Sequence, residues 1–363
     1  MVNDKVYAMD AVCSHEGGPL EEGSLKGYNL TCPWHYAVFD IRNAKVSDQT
    51  VWATDLTPYP VKVQETTGDI LLSLEAPLSS KEEQQQTTVP ATTSAQETKE
   101  EEKKEKKAAN EFGLTLLAKQ EHKYSDVMSF KFSKQDNVDQ RNLEYTAGQY
   151  AFFDIGGVYD DPEGPLRHFT IASSPTENFV MISTRIRDTP YKKRLSSLEE
   201  GIKIKVRGPM GKFVLHEEDY SKPAVFLSGG IGVTPFRSMI KYATDKQLPL
   251  KIVMFDSNRN QENILYKDEF DQWANTNKNV KIIYTITEEG KEDQKSSGAS
   301  EWKGERGRID KAILTKYLND DYLKDSIFYT CGPPAMIKAM QDLLQDDFGV
   351  TKERIKVEEF TGY

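Results

Sequence analysis

Cysteine is scarce in this chain: three residues in 363, at positions 13, 32 and 331. Three thiols cannot build a disulfide framework for a protein this long, so they point to metal or redox chemistry in a reducing compartment. Long apolar runs are also missing. Nowhere do the roughly 18 consecutive apolar residues of a membrane span occur, and the opening Met1-Val2-Asn3-Asp4-Lys5 lacks the charged head and apolar stretch of a signal peptide. The expected location is the cytoplasm. Nor is there an excess of basic charge. Lys and Arg number 47 against 57 Asp and Glu, a formal charge of -10, which argues against nucleic-acid binding through a broad basic face.

What is there suffices for two or three domains at roughly 100 to 200 residues each. Residues 77–111 are nearly all Gln, Thr, Ser, Glu, Lys and Ala, without one aromatic before Phe112. Such a composition cannot bury a core, so the segment reads as a disordered linker. Before it, residues 1–76 alternate as short strands at Lys5–Met9, Tyr28–Thr31, Ala37–Asp40, Val61–Gln64 and Ile70–Leu74. After it, residues 112–220 read as a second β unit. From 221 to 363 strands and helices alternate. Strands are expected at Ala224–Leu227, Leu250–Phe255, Val280–Thr285 and Ser326–Thr330, and helices at Pro235–Thr244, Lys267–Ala274, Lys311–Tyr317 and Ala335–Gln345, the pattern of a parallel sheet with crossovers. No internal repeat is evident.

Two of the cysteines come with histidines. Cys13-Ser14-His15 and Cys32-Pro33-Trp34-His35 give C-x-H, sixteen residues, then C-x-x-H. Two loops thus each offer one thiolate and one imidazole, as a Rieske [2Fe-2S] centre requires when one iron takes the two Cys and the other the two His. The competing reading is a structural Cys2His2 zinc site, against which the one-residue gap between Cys13 and His15 speaks.

With those ligands in place, residues 4–76 resemble a Rieske ferredoxin of the kind that serves aromatic-ring dioxygenases, through CSHEGGPLEEG (13–23), CPWHYAVFDIRNAKV (32–46), and the closing segments Leu56–Val63 and Gly68–Leu74. The resemblance implies a small all-β domain holding iron through Cys13, His15, Cys32 and His35, with Gly17, Gly18 and Gly23 letting the first loop fold tightly. The family usually has about two more strands before its first ligand loop. Only twelve residues precede Cys13, so an N-terminal truncation is one expectation and a β domain completed in another way is the other.

Arg167-His168-Phe169-Thr170-Ile171-Ala172-Ser173 matches R-x-[YF]-[ST]-x-x-S, and resembles the flavin signature of the ferredoxin-NADP reductase family. Thr184–Leu195 (TRIRDTPYKKRL) falls where that family places a second flavin-phosphate segment, and Gly208–Phe213 (GPMGKF) resembles the turn that closes its flavin barrel. Ser228–Pro235 (SGGIGVTP) follows an apolar strand and opens a helix, so small residues admit a pyrophosphate to backbone amides and a helix N-terminus. Cys331-Gly332-Pro333-Pro334 and the terminal Glu358–Tyr363 recur in the same order in that family. The resemblance implies a multidomain α+β protein: the Rieske domain, an antiparallel β-barrel for FAD, and a Rossmann-like parallel α/β domain for NAD(P)H.

The site residues it implies are Arg167, His168, Phe169, Thr170, Ser173, Thr184, Tyr191 and Lys192 for the flavin. For the nicotinamide nucleotide they are Gly229, Gly230, Gly232, Thr234, Asp256, Arg259, Cys331, Gly332 and Pro333. Thr170, Cys331 and Phe360 would stand at the reacting rings, with Tyr363 the second choice for the covering aromatic. Asp256 suits a ribose hydroxyl, while Ser257 and Arg259 suit a 2'-phosphate, and NADH is weakly favoured. His122 and His216 have no motif around them and read as ordinary surface residues. The expected function is electron transfer from NAD(P)H through FAD to the cluster and on to an oxygenase or another redox protein. A redox-sensing binding module without turnover is the alternative.

Overall fold

In the computed structural model the chain divides into two units, residues 1–109 and 110–363. The structure describes residues 2, 5–14, 20–32, 37–47, 50, 53–63, 70–73, 111–123, 125–158, 161, 165–215, 220–287 and 302–360. Of the linker 77–111 only Glu111 is among them. It already belongs to a strand, with its carboxylate accepting from Arg207 Nε at 3.0 Å.

In the first unit Ala8–Met9 (β1) pairs with Pro58–Tyr59 (β6). Ser24–Lys26 (β2), Asn29–Thr31 (β3), Val38–Asp40 (β4) and Lys45–Val46 (β5) form an antiparallel meander, and Val61–Val63 (β7) pairs with Ile70–Leu72 (β8). All five expected strands are present within their described parts. Of the rest, β6 falls within the resembling segment Leu56–Val63, and β2 and β5, not expected, have two or three residues each, too few for a period of two to show. Leu20, Phe39, Ala37, Ala44 and Leu56 pack with Cys13 and Cys32 in a small core.

The second unit begins with Glu111–Glu121 (β9), Val127–Ser133 (β10), Tyr150–Asp154 (β11), Leu166–Thr170 (β12), Phe179–Arg185 (β13) and Lys203–Met210 (β14). These form one antiparallel sheet in the order β12-β11-β14-β9-β10-β13. Just beyond β12, the Ala172 N–H donates to the Met181 carbonyl of β13 at 2.7 Å, so the two edges curl toward each other and close a barrel. Phe130, Phe132, Phe153, Ile182 and Val206 fill its interior.

The chain continues into Ala224–Gly229 (β15), Ile252–Asn258 (β16), Val280–Ile286 (β17), Glu305–Arg306 (β18), Ile327–Gly332 (β19) and Ile355–Glu359 (β20), all parallel, in the order β18-β17-β16-β15-β19-β20. Thr234–Asp245 (α2), Lys267–Thr276 (α3), Lys311–Tyr317 (α4), Asp320–Asp325 (α5) and Pro334–Asp342 (α6) cover the faces, and Pro190–Ser197 (α1) belongs to the barrel. β15 is buried along its whole length because both faces are covered, and its residues divide by parity. Phe226 packs with Phe236, Met239 and Phe270, while Val225 and Leu227 pack with Phe255, Leu314 and Phe328. No helix of the described residues is long and apolar enough to cross a membrane.

Candidate active site

The two cysteine loops of the first unit are closed at their described ends. Leu20 N–H donates to the Ala11 carbonyl at 2.9 Å, and Cys32 N–H to the Ala37 carbonyl at 2.8 Å. The first loop is fixed again by Ser14, whose Oγ donates to Thr54 O at 2.6 Å and accepts from Thr54 N at 3.0 Å. Gly23 is required by close packing, since a Cβ there would lie 2.5 Å from the Thr31 carbonyl oxygen. Cys13 and Cys32 are buried, and no disulfide joins them. His15 and His35, with Gly17 and Gly18, lie outside the described residues, as do His216 and Tyr363. Two buried thiols at the necks of two hydrogen-bonded loops suit a cluster held from both sides.

In the second unit the parallel sheet sets the site. From β15 the chain winds outward through β16, β17 and β18, then returns to β19 on the other side of β15. The crevice at the carboxyl ends of β15 and β19 is therefore a topological switch point, where open α/β sheets bind ligands. A cleft of about 1140 Å³ opens there, between the sheet and the barrel. On its walls are His168, Phe169, Thr170, Thr184, Lys192, Gly229, Gly230, Thr234, Arg259, Pro333 and Phe360 of the expected residues.

The glycine turn serves close approach. Gly230 has a φ of +57°, and a Cβ on Gly229 would meet Met336 Sδ at 2.3 Å. Gly232 faces away from the cleft. A Cβ there would lie 2.4 Å from the Cys331 carbonyl oxygen, so this glycine lets the first turn pack on the end of β19. Neither α2 nor α6 has a side-chain cap at its N-terminus, and Thr234, Pro334, Ala335 and Met336 from those first turns line the cleft. The positive ends of the helix dipoles favour an anion at both places.

The side chains agree with that. Arg185, Arg187, Lys192, Arg259 and Arg308 line the cleft against only two described carboxylates, Asp126 and Glu359. Asp126 is itself paired to Arg185. A cationic cleft in an acidic chain is a concentrated field. The Thr170 hydroxyl lies buried on this wall with no hydrogen-bond partner, an orphan of the kind a bound polar ring edge satisfies. The donors and glycines present thus fit a flavin and a dinucleotide.

Several expected residues are placed elsewhere. Arg167 is off the cleft: its Nη2 pairs with Asp161 Oδ1 at 2.6 Å, both buried, and its guanidinium lies 5.1 Å from the Tyr191 ring centre. Asp161 also accepts from the Tyr191 N–H at 3.0 Å, in the first turn of α1. Tyr191 points into the barrel and donates to the Phe153 carbonyl at 2.9 Å. Ser173 is enclosed, its Oγ 2.8 Å from Tyr145 Oη and accepting from Met181 N at 2.9 Å.

Asp256 stands furthest from its expected setting on the cleft wall. β16 runs three residues past the expected strand end at Phe255, so Asp256 is still inside the sheet. It is fully buried, its Oδ2 accepts from Asn258 Nδ2 at 2.8 Å, and burial pushes its carboxyl up to about 7. Ser257, Asn258 and Arg259 reach the cleft instead. Cys331 is enclosed for the same reason: β19 runs to Gly332, and neither residue lines the cleft. Burial first, then the facing Glu358 carboxyl, hold its thiol well above the ordinary range.

Sequence reasoning missed three things here. Arg237 of α2, 2% exposed, donates to the Ala172 carbonyl at 2.9 Å and pairs with Glu177 and Glu269. With Ser238 Oγ donating to Ser173 O at 2.6 Å, it fixes the end of β12 against the nicotinamide side. The Glu358 carboxyl, buried at its tip though the residue is half-exposed, is pushed up to about 8 by burial. His122 is half-buried and hydrogen-bonded to Ser129, contrary to its reading as an ordinary surface residue.

Residues 1–60 match the family model described as Rieske [2Fe-2S] domain, and residues 226–342 match that described as oxidoreductase NAD-binding domain. A component of the Na(+)-translocating NADH-quinone reductase of Idiomarina loihiensis is 30% identical over 231 residues, 59% of this chain and 53% of that one. The chain thus spans about half the length of this relative. Among solved structures, a ferredoxin NADP+ reductase from Neisseria gonorrhoeae with bound FAD and NADP matches with a TM-score of 0.53 at 17% identity, over 69% of this chain and 98% of that one. The ferredoxin reductase in carbazole 1,9a-dioxygenase matches with a TM-score of 0.53 at 16% identity, over 69% of each chain. The chain thus joins, in its first unit, a segment that matches the Rieske [2Fe-2S] domain model to, in its second, one that matches the oxidoreductase NAD-binding domain model and shares the fold of these reductases.

Proposed function

We propose that this chain is an NAD(P)H-dependent reductase that passes electrons from NAD(P)H through FAD to a Rieske-type [2Fe-2S] cluster, and on to a terminal oxygenase or another redox protein. The observation that carries this reading is one cleft whose walls hold the end of the flavin-signature strand, the glycine turn, Pro333 and Phe360. When bound, FAD supplies the conversion of a two-electron hydride into single electrons, and the cluster takes them one at a time.

The chain's residues divide the remaining work. Thr170 offers its hydroxyl to the flavin ring. Arg185, Arg187 and Lys192 hold the flavin diphosphate. Arg167 acts indirectly, fixing through Asp161 the first turn of α1 that carries Lys192. Gly229, Gly230 and the starts of α2 and α6 receive the nicotinamide dinucleotide's pyrophosphate. Phe360 covers the ring until nicotinamide takes its place, and Cys331 with Glu358 closes the floor behind it. Cys13, His15, Cys32 and His35 hold the cluster. An oxygenase as acceptor is supported by the likeness of residues 4–76 to dioxygenase ferredoxins and by the shared fold of the carbazole dioxygenase reductase.

Purified full-length chain should contain FAD and two irons, show the low-g electron resonance of a histidine-ligated [2Fe-2S] centre, and sustain NAD(P)H oxidation with ferricyanide. Zinc in place of iron, FMN alone, or both cofactors bound without turnover would reject it.

A further inference from the structure

Besides the main cleft, the second unit has a smaller opening of about 320 Å³, lined by Gln120, His122, Lys123, Ser125 and neighbouring residues of the loop 262–265. A line of hydrogen-bonded side chains, buried but for the half-buried His122, connects the two. His122 Nε2 lies 2.7 Å from Ser129 Oγ, and Ser129 Oγ lies 2.5 Å from Ser183 Oγ across the β10–β13 pair. Tyr266 donates its hydroxyl to the same Ser183 oxygen. Ser129 is 1% and Ser183 6% exposed. His122 opens on the smaller cavity, while Ser183 lines the main cleft.

One order of donors runs consistently through this line from the Tyr266 end. Burial holds the Tyr266 phenol up to about 12, so it remains a donor. In that order Ser183 donates to Ser129, and Ser129 donates to His122 in the tautomer whose Nε2 is unprotonated. Burial lowers the His122 pKa, with the Glu269 carboxylate opposing, so the ring is a neutral acceptor near pH 7. Lys123 beside it, Glu121 and Glu262 at the opening, Glu269 of α3 and Arg237 of α2 over the Tyr266 ring are the charged groups around this end.

We propose that Ser183, Ser129 and His122 form the path by which the proton of the transferred hydride leaves the cleft. The inference rests on the reductase reading above. A hydride brings two electrons and one proton, and a one-electron acceptor removes electrons only. The bond formed to that hydrogen in the cleft must therefore break again, and one proton per NAD(P)H must reach solvent. Serine hydroxyls can accept a proton on one side and release one on the other, and His122 delivers it to the second opening. The smaller opening adjoins the main cleft, with Ser125 and Asn263 on the walls of both, and the buried hydroxyls give the proton a route that does not run along the nucleotide.

The test uses FAD-loaded full-length chain, reduced anaerobically with one equivalent of NADH and mixed with ferricyanide in weak buffer containing a pH indicator. In the wild-type chain the proton should appear in step with flavin reoxidation. In Ser129→Ala and His122→Phe it should lag at least tenfold, and Ser129→Thr should restore it, with FAD content and melting temperature as folding controls. A second measurement needs no variant: the His122 titration followed by NMR should have different midpoints in the oxidised and the reduced protein. A proton that keeps step in both variants, or one midpoint in both redox states, overturns the path while leaving the reductase intact. Failure of NADH to bleach the flavin removes the reductase reading and the path together.

Discussion

At the scale of single residues, Thr170 is the side chain whose environment asks for a ligand. Thr170→Val keeps the shape and removes the orphan hydroxyl. Without cofactor the variant should be more stable by roughly 1 kcal/mol, the usual cost of an unsatisfied buried group. With FAD its anaerobic reduction by NADH should slow about tenfold, as expected for one lost hydrogen bond at the reacting ring. Rapid-mixing spectroscopy and melting curves give both numbers, and a variant unchanged in both would remove Thr170 from the site. The nucleotide preference also turns on a few side chains. The carboxylate that favoured NADH belongs to Asp256, which is inside the sheet, while Arg259 and Arg308 stand on the cleft wall with no ion-pair partner among the described residues. NADPH should therefore bind more tightly than NADH. Arg259→Ala and Arg308→Ala should each weaken NADPH by about 10- to 100-fold, the worth of a charge-assisted hydrogen bond, and leave NADH within about twofold. Equal losses for both nucleotides, in titrations of the oxidised protein, would place these arginines elsewhere on the ligand.

At the scale of elements, Arg237 joins α2 to α3 and to the barrel. Arg237→Met leaves the Glu177 and Glu269 carboxylates without their buried partner, and should cost roughly 3 kcal/mol of stability. Because the same guanidinium holds Ala172, two residues beyond Thr170, FAD should also bind less tightly. A lower melting temperature with unaltered FAD affinity would reduce Arg237 to a purely structural clamp. Nothing in the sequence announces this residue: Arg237 follows the glycine turn on a helix whose neighbours are apolar, and a buried arginine is recognised only by the carboxylates that other elements bring to it. The elements themselves were largely legible. Every strand and helix expected from Ala224 onward is present, because runs such as Ala224–Leu227 and amphipathic stretches such as Pro235–Thr244 carry their own period. What the sequence could not convey was where a strand stops. β16 and β19 end only after Asp256 and Cys331, since helices cover both faces of the sheet to its edge, and two expected site residues became interior ones. His122 was illegible for a related reason, as its partner Ser129 and, behind it, Ser183 come from two other strands.

At the scale of the whole molecule, the buried carboxyls make stability depend on pH in an unusual direction. Asp256 keeps its proton in the folded protein up to about pH 7, whereas the unfolded chain releases it near the ordinary value. The folded state then binds the extra proton, so this stabilisation is complete below about pH 4 and declines as pH rises through about 7. Glu358, held at about 8, extends the decline. Asp256→Asn, neutral throughout, should leave stability at pH 4 unchanged and raise it at pH 8 by on the order of 2 to 4 kcal/mol. Thermal unfolding at both pH values decides it, and an equal shift at both would mean that the carboxyl is ionised in the folded protein. The sheet order has a consequence in time as well as in space. β15 is the first strand of its sheet to be synthesised and lies in the middle of it, but its neighbour β19 begins only at Ile327 and β20 at Ile355. On the ribosome, β15 to β18 can pair as they emerge, while the other edge of β15, apolar and hydrogen-bond-ready, stays open until β19 has also been made. That edge is the surface on which a growing chain is most exposed to pairing with a neighbour, and closing it is the step that completes the switch point. The nicotinamide crevice therefore comes into being only after the sheet's other edge, β16 to β18, has already been laid down.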